Sequence, residues 1–307
     1  MPSTSPHFAA VDWGTSNMRV WLMAENGAVL GETRSEEGLT RIQDRNFESV
    51  LETKLAELGA RSDLPVIICG MAGSKQGWLE AKYIETPAEL FAVTGQAVRV
   101  PHSRRDVRIL PGVSHNDSSA PSVMRGEETQ LLGLPSHAGI QTVCMPGTHC
   151  KWVSLDHTTV LGFATYLTGE LFHLFSTASL LRHSVDPAAK TMPKHPDFLA
   201  ACRKMLAEPT ELTASLFSIR AAGLLQGLEP DRATATLSGL LIGAEIGSAR
   251  KRFHTPRLTL VCSGRLGALY EAALSLADFA VDPVDAEETV KAGLAAAAKA
   301  IWPKDAK

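Results

Sequence analysis

The sequence of 307 residues has few cysteines, no long apolar run and no excess of positive charge. Its five cysteines are odd in number and scattered, which fits reduced thiols in a cytoplasmic protein better than a disulfide framework. The formal net charge of -3 gives no electrostatic reason to bind nucleic acid or an anionic membrane, because both rely on clustered Lys and Arg. We therefore expect small molecules as partners, with no nucleic acid and no membrane.

Targeting segments and metal-binding patterns are also missing. The N-terminal residues MPSTSPHF contain no Lys or Arg, so we expect no signal peptide. The most apolar helix-like stretch, Leu237 to Ile246, is too short to cross about 30 Å of hydrocarbon. Cys144, His149 and Cys150 lie close together, but their spacing matches no zinc pattern. With 45% apolar and 21% charged residues, the chain is typical of a globular protein, and its length favours two domains.

A glycine-turn hairpin opens each half of the sequence. Phe8 to Met23 reads as strand, glycine turn and strand, and Val143 to Leu155 repeats this order. Gly14 and Gly147 are 133 residues apart, and the apolar positions of the strands that follow keep the same offset. The repeat predicts two α/β halves.

Helices and strands alternate after the first hairpin. Apolar spacing predicts a helix from Phe47 to Leu58, and Pro87 predicts the start of another that runs to Val98. A polar, turn-rich stretch near residue 117 predicts a domain boundary. We expect a first domain over 1–117, completed by a C-terminal helix over 287–302, and a second domain over 118–286.

The glycine turns are candidate phosphate-binding sites. Glycine permits backbone conformations that other residues avoid, so that consecutive N–H groups can point at an anion. A plain hairpin turn is the alternative for either turn alone, but two related turns favour a triphosphate held from both sides. The candidate residues are Gly14, Thr15, Ser16 and Asn17 in the first turn, and Gly147, Thr148 and His149 in the second.

Asp12, at the end of the first strand, is a candidate ligand for Mg²⁺ next to these phosphates, usually through water. A turn-forming aspartate is the alternative. The corresponding position in the second half is Met145. Only the first half therefore has a carboxylate for the metal.

Six motifs resemble the 2-dehydro-3-deoxygalactonokinase family of the sugar kinase, Hsp70 and actin superfamily. In order they are DWGTSNMRVWL, CGMAGSKQGW, VMRGEETQLLG, MPGTHCKWV, TGEL and LSGLLIGAE, within a resemblance that runs from Ala9 to Ile301. The resemblance implies an α/β fold of two actin-like, ribonuclease H-like domains with a nucleotide in the cleft. It also implies transfer of the ATP γ-phosphoryl group to the 6-hydroxyl of 2-dehydro-3-deoxy-D-galactonate in D-galactonate catabolism, with ATP and Mg²⁺ as cofactors.

The resemblance also implies which residues bind the nucleotide. Asp12 to Asn17 resemble the first phosphate motif, and Gly147 to His149 resemble the second, which here lacks the usual acidic residue before glycine. The adenosine motif is matched by Ser263, Gly264 and Arg265, with a turn chosen only for packing as the alternative. Close helix packing is favoured over adenine contact for Gly239, Gly243 and Gly247.

A sugar kinase needs a carboxylate within hydrogen-bond reach of the attacking hydroxyl. Glu127 and Glu128 follow Arg125-Gly126 at a predicted helix start, and this segment is similar to the Gly-x-Glu-Glu segment of exopolyphosphatases in the same superfamily. Stabilisation of a helix start is the alternative for both. The sequence does not decide which of the two is the base, and Glu170 is the next candidate.

The carboxylate of a sugar acid should meet Arg, Lys or backbone N–H groups. The segment CGMAGSKQGW offers backbone groups and a Trp wall, and Arg125 adds a cation. The candidate substrate-binding residues are Gly70, Ala72, Gly73, Ser74, Trp78 and Arg125. Lys75 and Arg220 are further cations, for which surface or structural pairing is the alternative.

Three other functions stay open, because a few loop residues decide which acceptor a kinase uses. They are a kinase for another sugar acid, a phosphohydrolase, and a non-catalytic sugar or nucleotide sensor. The intact acidic pair disfavours the sensor. We expect a cytoplasmic enzyme, and we leave open whether it forms a homo-oligomer.

Overall fold

The computed structural model describes residues 5–303, except 43, 136, 138, 254 and 256. The chain divides into two compact units. Unit 1 contains the chain through Gly139, Asp156–Gly162 and the segment from Ala286, whereas unit 2 contains Ile140–Leu155 and Phe163–Asp285. Residues 118–139, which we expected in the second domain, thus belong to unit 1.

The elements of unit 1 begin with the expected glycine-turn hairpin. Its strands are β1 (Phe8–Trp13), β2 (Met18–Met23), β3 (Val29–Ser35), β4 (Val66–Gly70), β5 (Ile84–Glu85), β6 (Ala88–Glu89), β7 (Val98–Arg99), β8 (Val107–Ile109), β9 (Val113–His115) and β10 (Ser122–Met124). Its first three helices are α1 (Phe47–Glu57), α2 (Leu90–Gly95) and α3 (Glu127–Leu132). Short 3-10 turns cover Leu39–Arg41 and Met71–Gly73.

Unit 2 opens with the second hairpin. The strands that follow along the chain are β11 (Ile140–Met145), β12 (Cys150–Asp156), β13 (Thr159–Tyr166), β14 (Arg257–Val261) and β15 (Ala280–Val284). The helices are α4 (Thr168–Thr177), α5 (Pro196–Ala207), α6 (Leu212–Gln226), α7 (Pro230–Ala249) and α8 (Gly264–Ser275). Helix α9 (Ala286–Ile301) returns to unit 1.

The two units share one strand order. The unit 1 sheet runs β3-β2-β1-β4-β8-β7, with an antiparallel meander of β1 to β3 and parallel pairing of β1, β4 and β8. In unit 2 the order β13-β12-β11-β14-β15 repeats this plan, with β11, β14 and β15 parallel. The first residues of β13 pair with β6 inside unit 1. The duplicated α/β sheet confirms the actin-like fold class.

The β1 strand shows why the unit 1 sheet is buried on both faces. Ala9 and Val11 lie in one apolar cluster with residues of α1, whereas Phe8 and Ala10 lie in another with residues of α9. Side chains alternate between the faces of a strand, so a continuous apolar run serves two cores. The sheet therefore holds the ends of its strands, where the candidate site lies, on a rigid base.

Helix α7 packs closely on α5. A Cβ atom at Gly239 would lie 2.3 Å from the carbonyl oxygen of Phe198, and one at Gly243 would lie 2.8 Å from the Cα of Cys202. Gly247 approaches the same helix. This contact confirms the packing interpretation of the three glycines.

One predicted helix was wrong at both ends. The Thr86–Pro87 peptide is cis, and the residues after it form β6, because Ala88 and Glu89 pair with β13. Helix α2 begins only at Leu90, where the Glu89 side chain accepts a hydrogen bond from the Ala92 N–H. Nonlocal strand pairing overrides the local signal of proline.

Among the described residues, no helix combines the length and the apolar character that a membrane crossing needs.

Candidate active site

Asp12 lies at the carboxyl end of β1, next to the end of the parallel strand β4. The register places Asp12 beside Cys69, and Gly70 follows with a φ of +89°. A Cβ atom at Gly70 would lie 2.6 Å from the carbonyl oxygen of Trp13, so this position requires glycine. A Cβ atom at Gly126 would lie 3.6 Å from the Cα of Gly70. The turn before α3 is thereby brought to the strand end that carries Asp12.

The Asp12 carboxylate is held by a neighbouring cation. Arg19 stands opposite Asp12 in the β1–β2 register, and its Nη2 donates to Asp12 Oδ2 at 2.5 Å. Arg19 Nη1 also lies 3.5 Å from a carboxylate oxygen of Glu287. The Asp12 side chain keeps 16% of its surface exposed, and its Oδ1 lies 3.9 Å from the Sγ of Cys69. Oδ1 is therefore the oxygen that Arg19 leaves available.

The two glutamates of the acidic pair fold back on the turn that precedes them. Glu127 Oε2 accepts from the Arg125 backbone N–H at 2.9 Å, and Glu128 Oε2 accepts from that of Gly126 at 2.6 Å. Glu128 is 1% exposed, and its Oε1 accepts from the Thr129 hydroxyl at 2.9 Å. Burial, and next the charge of Glu127, raises the pKa of Glu128 to about 7. Of the pair, Glu127 keeps the exposed surface that contact with a ligand needs.

The first phosphate turn presents polar side chains to solvent. Thr15, Ser16 and Asn17 are exposed, and the Gly14 N–H donates to the Asn17 carbonyl at 2.9 Å. Neither Gly14 nor Gly147 has a positive φ angle, so the backbone of these turns does not itself require glycine. A Cβ atom at Gly147 would have no neighbour closer than 3.8 Å. Glycine there keeps space open beside the turn.

The second phosphate turn packs on the start of α4. The Glu170 N–H donates to the Thr148 carbonyl at 2.9 Å, and a Cβ atom at Gly169 would lie 2.4 Å from the Gly147 carbonyl oxygen. His149 Nε2 lies 2.5 Å from Glu170 Oε2. Glu170, the reserve candidate for the base, is therefore engaged with the phosphate turn of unit 2.

A cavity of about 260 Å³ lies beside this turn in unit 2. Its walls come from the turn at Gly147, from α4, α7 and α8, and from the loop that contains Pro187 and Thr191. The helical residues that line it include Phe172, Arg265, Leu266, Leu269 and Tyr270. Of the predicted adenosine motif, Arg265 lines the cavity, whereas the Ser263 hydroxyl donates to Asp285 at 2.8 Å. Gly264 has a φ of +64° and starts α8. Gly147 of the predicted phosphate motif and Arg265 of the predicted adenosine motif thus line one cavity.

A buried carboxylate joins the elements around this cavity. Glu245 of α7 is 3% exposed and accepts from Trp152 Nε1 at 2.8 Å, from the Tyr270 hydroxyl at 2.7 Å and from the Thr168 hydroxyl. Burial raises the pKa of Glu245. The thiols of Cys144 and Cys150 lie 3.9 Å apart beside it. Because three donors already occupy the carboxylate, we interpret this group as a hydrogen-bonded core.

The predicted acid-binding segment divides between the core and the site. Ala72, whose backbone was expected to bind the acid, is fully buried in the unit 1 core. Trp78, expected as a wall of the site, stacks on Phe47 with ring centroids 6.2 Å apart and packs against the same core. Gly73 lies against Arg125, whose Nη1 would be 2.7 Å from a Cβ atom there. Lys75 is exposed on the same turn. Arg220 lies in unit 2, with Nη1 3.4 Å from the Ser184 hydroxyl.

Sequence reasoning missed three features of these sites. The pairing of Arg19 with Asp12 was detectable, because both residues flank the hairpin turn at matching distances. Glu245 carried a signal too, since a glutamate inside an apolar helix needs buried partners. The apolar cavity wall had no signal, because Phe172 and Leu269 belong to helices far apart in the chain.

The duplicated α/β fold places the chain in the actin-like fold class, which includes sugar kinases and ATPases. The chain belongs within that class to the 2-keto-3-deoxy-galactonokinase family, whose sequence profile matches residues 12–297.

Curated relatives agree with this family. The chain is 48% identical, over 98% of its length and 99% of the relative's, to the "Probable 2-dehydro-3-deoxygalactonokinase DgoK1" of Rhizobium meliloti (strain 1021). It is 35% identical, over 96% and 98% of the two chains, to the 2-dehydro-3-deoxygalactonokinase of Escherichia coli (strain K12). A crystal structure of a candidate 2-dehydro-3-deoxygalactonokinase from Sinorhizobium meliloti, at 48% identity, superposes with a TM-score of 0.92 over 97% of this chain and 100% of that one.

Proposed function

We propose that this chain is an ATP-dependent kinase that phosphorylates the 6-hydroxyl of 2-dehydro-3-deoxy-D-galactonate in D-galactonate catabolism. The observation that carries the proposal is the family match over nearly the whole chain, together with relatives that bear this activity in their names. The carboxylate cluster around Asp12 and Glu127 supports it, because phosphoryl transfer to an alcohol needs acidic side chains for metal and proton. A cytoplasmic location stays a prediction.

The unit 2 cavity is the proposed nucleotide site. Its mostly apolar wall suits an adenine ring, and Arg265 supplies a cation at its edge. The open space beside Gly147 leaves room for a phosphate group against the backbone of the turn. Thr148 and His149 are exposed on the same turn and complete the proposed second phosphate contact. In unit 1, exposed Thr15, Ser16 and Asn17 form the proposed first phosphate contact.

The residues at the end of β1 fit a magnesium ion. Asp12 offers a hard oxygen donor that is partly exposed, and its Oδ1 is not used by Arg19. When bound, Mg²⁺ supplies charge neutralisation on the phosphate oxygens. Arg19 holds the other oxygen and so fixes the orientation of the Asp12 carboxylate.

Glu127 is the proposed base. Its carboxylate oxygen Oε2 is oriented by the Arg125 N–H, and the residue keeps exposed surface, whereas Glu128 is buried. The 6-hydroxyl proton passes to Glu127 as the new O–P bond forms and the bond between the γ-phosphorus and the ADP oxygen breaks. The proposed substrate positions beside this base are the backbone of Gly70 and Gly73, the Ser74 hydroxyl and the Arg125 guanidinium.

A coupled assay of ADP release across a panel of sugar acids tests this function. We expect ADP formation that requires both Mg²⁺ and 2-dehydro-3-deoxygalactonate, with phosphate found on the 6-oxygen. Turnover that does not change when the acid is omitted would favour a phosphohydrolase. Turnover only with a different acid would favour a kinase for that acid. Tight binding without turnover would favour a sensor.

A further inference from the structure

The Arg125 guanidinium in unit 1 uses only part of its hydrogen-bonding capacity. Its Nη2 donates to the Ala81 carbonyl at 2.7 Å, and its guanidinium lies 4.5 Å from the centre of the Tyr83 ring. Its Nε and Nη1 are shielded from solvent and have no hydrogen-bond partner among the described residues. Shielded N–H groups of an arginine that lack a partner are destabilising unless an anion pairs with them.

Ser74 lies on the turn against which Arg125 packs. It is 6% exposed, and its hydroxyl also has no partner among the residues that the structure describes. The preceding residue, Gly73, lies so close to the guanidinium that a Cβ atom would approach Nη1 to 2.7 Å. Unsatisfied buried polar groups are rare in folded proteins. Here two such residues lie on segments that pack together: Ser74 follows the turn Met71–Gly73, and Arg125 follows the end of β10.

Another buried arginine of unit 1 shows the contrast. Arg105 donates from Nε and Nη2 to both oxygens of Glu52, at 2.7 and 3.0 Å, and from Nη1 to the Arg61 carbonyl. Its guanidinium therefore has a carboxylate and a carbonyl from the protein itself. Arg125 has only the carbonyl. A carboxylate placed as Glu52 is on Arg105 would satisfy the unpaired N–H groups of Arg125.

Arg125 and Ser74 lie close to the residues proposed for phosphoryl transfer. The Arg125 N–H orients Glu127, and Gly126 lies against Gly70 beside Asp12. An open-chain sugar acid carries its carboxylate and its terminal hydroxyl at opposite ends. Binding of the carboxylate by Arg125 would therefore anchor the end of the acceptor that does not react.

We propose that the Arg125 guanidinium and the Ser74 hydroxyl bind the carboxylate of the acceptor and select acids over neutral sugars. The proposal rests on the proposed kinase function. Charge-assisted hydrogen bonds are stronger than neutral ones, and shielding from water increases their contribution. Because Nε and Nη1 of Arg125 are shielded from solvent, the acid must displace neighbouring groups to reach them. A neutral sugar would leave these N–H groups without an anion and would not offset the cost of that displacement.

The test compares two acceptors in the ADP-release assay, 2-dehydro-3-deoxygalactonate and its C1 carboxamide. We expect the wild-type kcat/KM for the acid to exceed that for the amide by about 10²-fold, the scale of one hydrogen bond to a charged group. Arg125→Gln should abolish most of this preference, with a large rise in the KM for the acid and a small change for the amide. Ser74→Ala should reduce the preference by a smaller factor, and Arg125→Lys should retain part of it.

Arg45→Gln is the matched control. Arg45 also contacts the turn, donating from Nη2 to the Gly77 carbonyl at 2.5 Å, so its loss reports on general support of this segment. This variant should keep the acid preference. Pyruvate, which carries only the carboxylate end of the acceptor, should compete with the acid in the wild type and not in Arg125→Gln.

The outcomes separate the two proposals. If the wild type releases no ADP with the acid, the proposed function fails. If the wild type turns over the acid but Arg125→Gln lowers kcat/KM for acid and amide equally, or keeps the wild-type preference, the carboxylate contact is wrong. Circular dichroism and thermal unfolding of each variant establish that the comparison is made on folded protein.

Discussion

We expect the free energy of unfolding of the wild type to fall as the pH rises through the titration of Glu128. Replacing Glu128 with glutamine should abolish this fall. Burial, with the charge of Glu127 second, raises the pKa of Glu128 to about 7 in the folded chain, against an ordinary value of 4.5. Between these values the folded protein holds a proton that the unfolded chain has released. The free energy of unfolding therefore falls with pH over this window. Glutamine has no proton to lose, so the variant should lack this fall.

The expected magnitude follows from the two pKa values. A carboxyl that titrates at about 7 when folded and at 4.5 when unfolded loses about 3 kcal/mol of stability across the window. The variant should match the wild type near pH 4 and exceed its stability by up to that amount near pH 8. The amide fits the site, since its oxygen can accept from the Gly126 N–H and its NH₂ can donate to the Thr129 hydroxyl.

Urea unfolding at several pH values measures the difference between variant and wild type. Tryptophan fluorescence reports mainly on unit 1, because it contains four of the five tryptophans, Trp13, Trp21, Trp78 and Trp302. Glu127→Gln is the graded control, since it removes the charge repulsion and leaves the burial, so that a smaller part of the slope should vanish. A stability difference that stays constant from pH 4 to 8 would refute the assignment of this titration to Glu128.

Two further predictions concern the candidate site, and a third concerns the buried Glu245. Glu127→Gln should lower kcat by about 10²-fold or more with little change in KM, the scale of positioned general base catalysis, and an unchanged kcat in steady-state assays would move the base elsewhere, first to Glu170. Asp12→Asn should raise the Mg²⁺ concentration for half-maximal rate by about 10-fold or more, because an amide cannot offset the charge of the ion; a wild-type Mg²⁺ titration would remove Asp12 from the site. Glu245→Leu should lower the free energy of unfolding by about 3–5 kcal/mol, since three buried donors lose their acceptor, whereas Glu245→Gln should cost much less. Equal stability of the Leu variant and the wild type in urea would contradict the hydrogen-bonded core.

The spacing of apolar residues was sufficient to predict helices with one apolar face and strands in which apolar and polar residues alternate. The helix predicted from Phe47 to Leu58 is α1, Phe47–Glu57, and the Ala-rich helix predicted from residue 287 begins one residue earlier, at Ala286. The hairpins were predictable because the turn and both strands lie within one short stretch. In each case the residues that stabilise the element are sequence neighbours.

The wrong predictions depend on residues that are distant in the chain. The strand at Ala88 exists because β13 supplies its partner some seventy residues later, a contact that local propensity does not encode. The turn-rich stretch near residue 117 gave a boundary signal, yet β9 and β10 on either side of it pair within unit 1, with His115 opposite Ser122. The roles of the motif residues at the candidate site stay predictions, and the unpaired state of the Ser74 hydroxyl depends on the tertiary arrangement, which the sequence does not show.

The two hairpins occupy equivalent places in their sheets but carry different chemistry. Asp12 and Arg19 face each other across β1 and β2 and form an ion pair at a partly exposed strand end. The residues 133 positions later are Met145, which is buried, and Trp152, which donates to the buried Glu245. A divalent cation needs oxygen donors, so the hairpin of unit 1 can serve a metal and that of unit 2 cannot. Equivalent positions of the repeated scaffold thus carry an ion pair at a partly exposed strand end in unit 1 and buried side chains in unit 2. This difference is the physical reason why we propose the metal site for unit 1 alone.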